Sequence, residues 1–327
     1  MRRITTLCLL GLLSACALPL TGQTPSKPID PVRPTFIVPD LKPDQPMRIL
    51  VYGDMRFTNP FNTSDTSPRA RQWLAAKVAE EHPDAVFMTG DVPFRGSNPA
   101  DWAVFRREAQ SWWTDKLRVY PTIGNHELIP HATTGLKNYY ANFPQVGGHP
   151  FYSVLMGNVF LINLDSSQPM WPRGAQADWI RGQIDHTPPS ADFVFIMLHI
   201  PLIADVQSEF IANIPSPEAV VLRRYLEARA AVAPQKFIVV NGHIHNYERF
   251  EMNGITHIIT GGGGAAPYPV LLRGPDDKYR DTAFPVFNYV ILTIEGKHAD
   301  GKMYKIADPE AKEYQVEVKD TFSEDAH

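Results

Sequence analysis

The chain has 327 residues, 44% of them hydrophobic and 20% charged, with a formal net charge of −4. This is ordinary globular composition, long enough for one large domain or two small ones, and it carries no basic footprint for sequence-independent nucleic-acid binding. The only cysteines are Cys8 and Cys16, so a thiolate metal centre or a cysteine nucleophile in the folded part is excluded.

At the N-terminus, Arg2 and Arg3 precede an apolar run over 7–13. That run is far shorter than the ~20 residues of a membrane-spanning helix and has the layout of an export signal. Leu13-Ser14-Ala15-Cys16 resembles a bacterial lipobox. The resemblance implies a lipoprotein signal peptide over 1–16 and a protein anchored to a membrane through lipidated Cys16, facing the periplasm. Ala17 after the cysteine favours the outer membrane, and a plain signal peptide that happens to contain a cysteine is the alternative. Residues 17–46 are rich in proline and are expected to form an extended tether.

From Met47 onwards apolar runs alternate with amphipathic segments. Strands are predicted over 48–52, 85–89, 117–123, 151–156, 159–164, 193–198, 237–240, 255–260 and 289–294, and helices over 68–81, 99–115, 175–184 and 217–231. Pro68, Pro99 and Pro217 stand where a helix can begin, because a missing N–H costs little there. Trp73, Trp102, Trp112, Trp113 and Trp179 fall on these helices and are expected in the core. Strand–helix alternation up to residue 123 predicts a parallel, helix-covered sheet, and the later strands a second sheet with antiparallel parts. The folded domain is expected over 47–305, with a polar C-terminal tail over 306–327 that frays from about Glu317.

The chemistry concentrates where strands end. Successive predicted strands run into Gly53-Asp54, Gly90-Asp91, Gly124-Asn125-His126-Glu127, His199 and Asn241-Gly242-His243-Ile244-His245. Strand C-termini of an open α/β sheet converge on one edge, where ligands bind. One Asp-turn or one histidine is ordinary structure, but five strand ends that each deliver Asp, Asn or His point to a site. Carboxylate, amide and imidazole donors without thiolate suit Zn, Mn or Fe at a hydrolytic centre. There is no phosphate-binding P-loop pattern and no Gly-x-Ser-x-Gly elbow, so nucleotide-driven chemistry and serine hydrolysis lack support.

This ordered set resembles the calcineurin-like metallophosphoesterases. Phe151-Tyr152-Ser153, Leu161–Ser166, His199-Ile200-Pro201 and Gly242–Arg249 bring it nearest to the purple-acid-phosphatase-like branch. The resemblance implies an α/β fold of two mixed β-sheets packed as a sandwich flanked by helices, in four αββα layers. It implies a phosphoesterase that cleaves phosphomonoesters or phosphodiesters with a metal-activated water at a dinuclear centre. Asp91 would bridge two divalent or trivalent transition-metal ions (Mn, Zn or Fe). Asp54 and His245 would hold metal A, and Asn125, His199 and His243 metal B. His126 would face the substrate, to protonate the leaving oxygen or stabilise the phosphoryl group.

The chain departs from the family pattern at two positions. Arg56 replaces the histidine usual two residues after the first Asp, and Phe94 replaces the iron-binding tyrosine of the purple branch, which leaves metal A short of a ligand. Arg56 is then a structural partner of a carboxylate such as Asp65, a catalytic grip on a phosphoryl oxygen, or the mark of a degenerate phosphate- or nucleotide-binding lipoprotein on the same fold. His131, Lys137, Tyr139 and Tyr140 would lie on a loop over the cleft, as packing residues or as substrate contacts. Tyr247-Glu248-Arg249 would pin the loop after His245 through an internal ion pair, with contact to the substrate as the alternative. Gly261–Gly264 would either cradle phosphate or make a tight connection. His257 reads as structural.

Overall fold

Strands buried on both faces must be apolar nearly throughout, and every residue of Phe193–Met197 and Ala85–Met88 is buried. A computed structural model describes residues 29–212 and 214–327; the signal segment, Cys16 and residues 17–28 lie outside the described residues. The strands form two mixed sheets. The seven-stranded sheet has the spatial order β1 (Phe36–Val38), β5 (Tyr152–Met156), β6 (Val159–Asn163), β7 (Phe193–Met197), β8 (Lys236–Asn241), β10 (Ile255–Thr260), β9 (Tyr247–Met252). The six-stranded sheet runs β13 (Val316–Asp325), β12 (His298–Ile306), β11 (Asn288–Glu295), β2 (Met47–Tyr52), β3 (Ala85–Met88), β4 (Val119–Pro121).

The main core lies between the sheets, where Phe87 of β3 meets Phe195 of β7 edge-on at 5.4 Å. Helices α1 (Pro68–Glu80), α2 (Pro99–Glu108) and α3 (Gln110–Thr114) add to this core from the side of the six-stranded sheet. A second core joins α5 (Ala175–Asp185) and α7 (Pro217–Ala230) to the seven-stranded sheet. This is the expected sandwich. Parallel pairing sets β2, β3 and β4 in register, Tyr52 opposite Met88 and Met88 opposite Pro121, and sets Met197 of β7 opposite Val240 of β8. The motif-bearing strand ends are therefore level with one another.

Several expectations are corrected. The predicted helix over 99–115 breaks at Ala109, and α3 then carries Trp112 inward, its Nε1–H donating to the Ala75 carbonyl at 2.7 Å. Trp113, beside it, is left 39% exposed. The segment after His126 contains α4 (Ala132–Asn142), not an overhanging loop.

The tether expected up to residue 46 is already part of the domain from residue 29 onwards. β1 pairs with β5, and Gln183 donates to the carbonyl of Pro31 at 2.8 Å. The C-terminal tail does not fray. Val316–Asp325 is the edge strand β13, and its polar side chains are polar because they pair across to the other sheet: Asp320 holds Arg249 at 2.7 Å and the Tyr247 hydroxyl at 2.9 Å, and Glu324 holds Lys236 at 2.6 Å. The expected Glu248–Arg249 pair is not formed. Successive residues of β9 point to opposite faces, so Glu248 instead accepts the Asp205 N–H at 2.7 Å. Among the described residues no helix is long and apolar enough to cross a membrane.

Candidate metal centre

The strand ends bend sharply to aim their side chains. Asp54, Arg56, Asp91 and His243 all have left-handed backbones, with φ of 57°, 50°, 54° and 71°. Such conformations cost non-glycine residues about 1–3 kcal/mol each and persist only where the surroundings hold them. The restraints are visible: Asp54 N donates to Gly90 O at 3.0 Å, Arg56 N to Asp91 O at 3.0 Å, and His243 N to the Asp54 carboxylate at 2.9 Å. Gly124 is needed for close approach, since a Cβ there would strike Asp91.

The imidazoles are oriented by backbone carbonyls. His199 Nδ1 lies 2.8 Å from Thr89 O, His245 Nδ1 2.7 Å from Ala266 O, and His126 Nδ1 2.6 Å from Phe94 O. A carbonyl only accepts, so each Nδ1 carries the proton and each Nε2 presents a lone pair to the site. His245 Nε2 is buried without a partner, 3.6 Å from Asp54. His199 Nε2 lies 3.0 Å from Asn125 Oδ1, 3.2 Å from His243 Nδ1 and 3.3 Å from Asp91 Oδ1.

Two clusters of lone pairs thus share Asp91. Asp54, Asp91 and His245 place one ligand atom each within 4.8 Å of one another, a geometry that can hold an ion. Asp91, Asn125, His199 and His243 form the second. His199 Nε2, His245 Nε2, the Asn125 amide oxygen and the two carboxylates turn their acceptor atoms towards one another, and this donor set fits metal ions. Burial disfavours the charged form of three of the site's histidines. It pushes His243 down to about 3, assisted by His199; it holds His245 well below the usual range, assisted by Arg56; and it lowers His126. Burial and the charge of Asp91 drive Asp54 upward. Burial opposes ionisation of Asp91 too, but His199, His126 and Arg56 outweigh it and hold that carboxyl well below the usual carboxylate range.

Arg56 points into the site rather than towards Asp65. Its Nη2 lies 3.1 Å from Asp91 Oδ2, its side chain is only 13% exposed, and its Nε is buried without a partner. His126 Nε2 lies 4.0 Å from the same carboxylate oxygen. The structure therefore gathers Asp54, Arg56, Asp91, Asn125, His126, His199, His243 and His245 in one place. His131 and Lys137 are exposed, and the Tyr139 hydroxyl donates to Pro121 O at 2.9 Å in the core. Gly263 N donates to Gly53 O at 2.9 Å, and a side chain there would strike that carbonyl; the glycine run is a close backbone contact behind Asp54.

Two residues escaped the sequence reading. Glu127 accepts N–H groups from Asp91 at 3.0 Å, Val92 at 2.8 Å and Gly124 at 2.7 Å, and so ties two of the strand-end loops together. It stood within a quoted motif, but nothing in the sequence showed which way it turned. Tyr268 stacks on His245 with ring centroids 4.2 Å apart; it comes from an irregular loop and had no motif to mark it.

The chain is similar in fold to a purple acid phosphatase from yellow lupin (Lupinus luteus) seeds, with TM-score 0.66 and 16% identity over 86% of this chain and 54% of the other. It spans about half the length of that protein. It is also similar to the protein described as the anchor in the inner membrane complex of Plasmodium, with TM-score 0.63 and 14% identity over 86% and 89% of the two chains. A dimetal phosphatase from Danio rerio aligns with TM-score 0.54 and 13% identity over 84% and 99%. Comparison with curated proteins finds no match. The sequence profile of the calcineurin-like phosphoesterases matches residues 47–247. With more than half of its length covered by that profile, and with the strand-end donors gathered at one edge, the chain belongs to the calcineurin-like phosphoesterase family.

Proposed function

We propose that this protein is a metal-dependent phosphoesterase that hydrolyses phosphomonoesters or phosphodiesters at a dinuclear centre. The observation that carries the reading is the pair of lone-pair clusters sharing Asp91, with the Nδ1 protons of His199 and His245 drawn off by backbone carbonyls. Asp54, Asp91 and His245 would hold one ion, and Asp91, Asn125, His199 and His243 the other. Bound metal ions supply Lewis acidity at the phosphoryl group and lower the pKa of a water. Arg56, with donor capacity beyond its bond to Asp91, grips a phosphoryl oxygen. His126 is neutral in the free protein; it takes up a proton when an anionic ester enters beside it and delivers that proton to the leaving oxygen. The N-terminal sequence adds the proposal that the enzyme is exported and anchored through Cys16.

Metal analysis and turnover of a chromogenic phosphate ester test the reading. We expect two ions per chain and turnover that Asp91→Ala abolishes. Full activity in Asp91→Ala would remove the site assignment. The Arg56–Asp91 pair favours one rival, a phosphate-binding protein without turnover. It requires at most one ion and no hydrolysis with Mn²⁺, Zn²⁺ or Fe supplied.

A further inference from the structure

Large apolar side chains left in water are not spread evenly over the molecule. Among the described residues the three most exposed are Phe210 at 90%, Phe61 at 89% and Leu272 at 79%, with Val206 and Leu271 also well exposed. All five lie on segments that leave strand C-termini at the edge of the site: Phe61 after β2, Val206 and Phe210 after β7, and Leu271 and Leu272 after β10, which runs parallel to β8.

These segments are fastened to one another and to the site. Gln207, in helix α6 (Val206–Ala212), donates to Pro269 O at 2.6 Å and accepts the N–H groups of Leu271 at 3.0 Å and Leu272 at 3.2 Å. Tyr268 of the same loop lies on the His245 ring and donates its N–H to His245 O at 2.9 Å. The segment carrying Phe61 joins this loop through the Thr66–Ala265 bridge and the bond from Ala266 N to Asp65 O at 2.9 Å. These segments therefore form a rim braced to itself and to His245 at the edge of the site. On the Phe61 side an open groove of about 730 Å³ runs from Phe94, beside His126, between the 58–65 segment and α2, and the exposed Arg95 and Arg107 line it. Asp65 also borders this groove; Asp101, in its wall, is already bonded to Thr58 at 2.7 Å and Arg95 N at 3.1 Å.

We propose that this rim docks on a lipid surface and that the substrate is a phosphate ester carried by a lipid. This rests on the phosphoesterase reading for its chemistry. Exposed Phe and Leu on three braced segments beside the site, with Arg95 and Arg107 lining the adjoining groove, match an amphiphile, whose acyl part stays in the bilayer while its anionic headgroup enters the groove. A protein seated on the same rim would cover the mouth and shut the site, whereas a bilayer delivers substrate to it.

The test uses the full chain with Cys8→Ser and Cys16→Ser, so that lipidation plays no part. Single cysteines introduced as Phe61→Cys, Leu272→Cys and, as a distant control, Val232→Cys (77% exposed) carry an environment-sensitive fluorophore. Vesicles of phosphatidylethanolamine and phosphatidylglycerol doped with phosphatidic acid are added. We expect a blue shift and quenching by spin-labelled lipid at positions 61 and 272 but not at 232. The triple variant Phe61→Ser, Phe210→Ser, Leu272→Ser should lose roughly tenfold or more of its turnover on vesicle phosphatidic acid and keep its turnover of soluble nitrophenyl phosphate. No shift at 61 and 272, an equal shift at 232, or undiminished turnover of phosphatidic acid in the triple variant overturns the proposal. A shift that grows with protein concentration without vesicles assigns the rim to a second copy and also overturns it. If neither ester is hydrolysed, the phosphoesterase reading and the lipid-substrate part fall together, while the fluorophores still decide docking on their own.

Discussion

Arg56 was the residue for which the sequence left three readings open, and the structure narrows them. It does not serve Asp65; its guanidinium lies 3.1 Å from the carboxylate shared by both lone-pair clusters. A fixed positive charge there competes with any cation on Asp91 and attracts a phosphoryl oxygen. Charge-assisted hydrogen bonds are worth about 1.5–3 kcal/mol. Arg56→Ala should therefore tighten binding of the second ion and weaken inhibition by inorganic phosphate, each by roughly tenfold or more, as titration calorimetry would read. Unchanged values would make Arg56 structural. Glu127 is the residue the motif contained but did not explain. Burial and the charge of Asp91 push its pKa up to about 8 even though three backbone N–H groups oppose this. A glutamine has one acceptor oxygen, so Glu127→Gln turns an N–H donor against the backbone donors. We expect a loss of about 1–3 kcal/mol in denaturant melts, with weaker metal binding.

At the scale of elements, strand β10 carries a buried titratable group far from the chemistry. His257 is fully buried between β8 and β9, both its ring nitrogens lack partners, and burial, with a smaller push from Arg223, takes its pKa from 6.5 to about 3. Above pH 6.5 it is neutral in both folded and unfolded chains and contributes no pH dependence. Between 6.5 and 3 only the unfolded chain takes up the proton, so stability falls as pH falls, by about 1.4 kcal/mol per pH unit for this residue. His257→Phe should make the stability–pH curve shallower over that window by this amount, and a parallel curve would refute the assignment. The helices show why element boundaries were only partly legible. Pro68, Pro99 and Pro217 marked their starts correctly, and Asn98 and Ser216 cap two of them through bonds to Ala100 N and Ala219 N. Nothing local marked the break at Ala109, which follows from where Trp112 is buried.

Across the whole molecule the two sheets are joined at one edge by β13. Asp320 takes Arg249 Nε at 2.7 Å and the Tyr247 hydroxyl at 2.9 Å, both from β9 of the opposite sheet, with the Asp320 and Arg249 side chains only 11% and 8% exposed. Removing Asp320 would leave Arg249 only its half-exposed partner Glu251 and the buried Tyr247 hydroxyl without its acceptor. Asp320→Ala should cost about 2–4 kcal/mol, a fall in melting temperature of roughly 3–6 °C by calorimetry. A fall of less than a degree would mean that the sheets are held by the core alone. By itself the sequence determined nine of the described strands, the starts of α1, α2, α5 and α7, and the ordered Asp, Asn and His positions, because these are local: apolar period, proline geometry and strand-end glycine are written within a few residues; β1, β9, β12, β13, α4 and α6 had no such mark. It also sufficed for the family and the layered fold. What only the tertiary structure decided involves partners distant in the chain. Polar residues after 316 look like a fraying tail until Arg249 and Lys236 are seen opposite them. The direction taken by Arg56 depends on Asp91, Glu127 reaches across to the loop after β3, and Tyr268 meets His245 only through the path of an irregular loop. Such contacts carry no sequence period, and they alone set which lone pairs face one another at the centre.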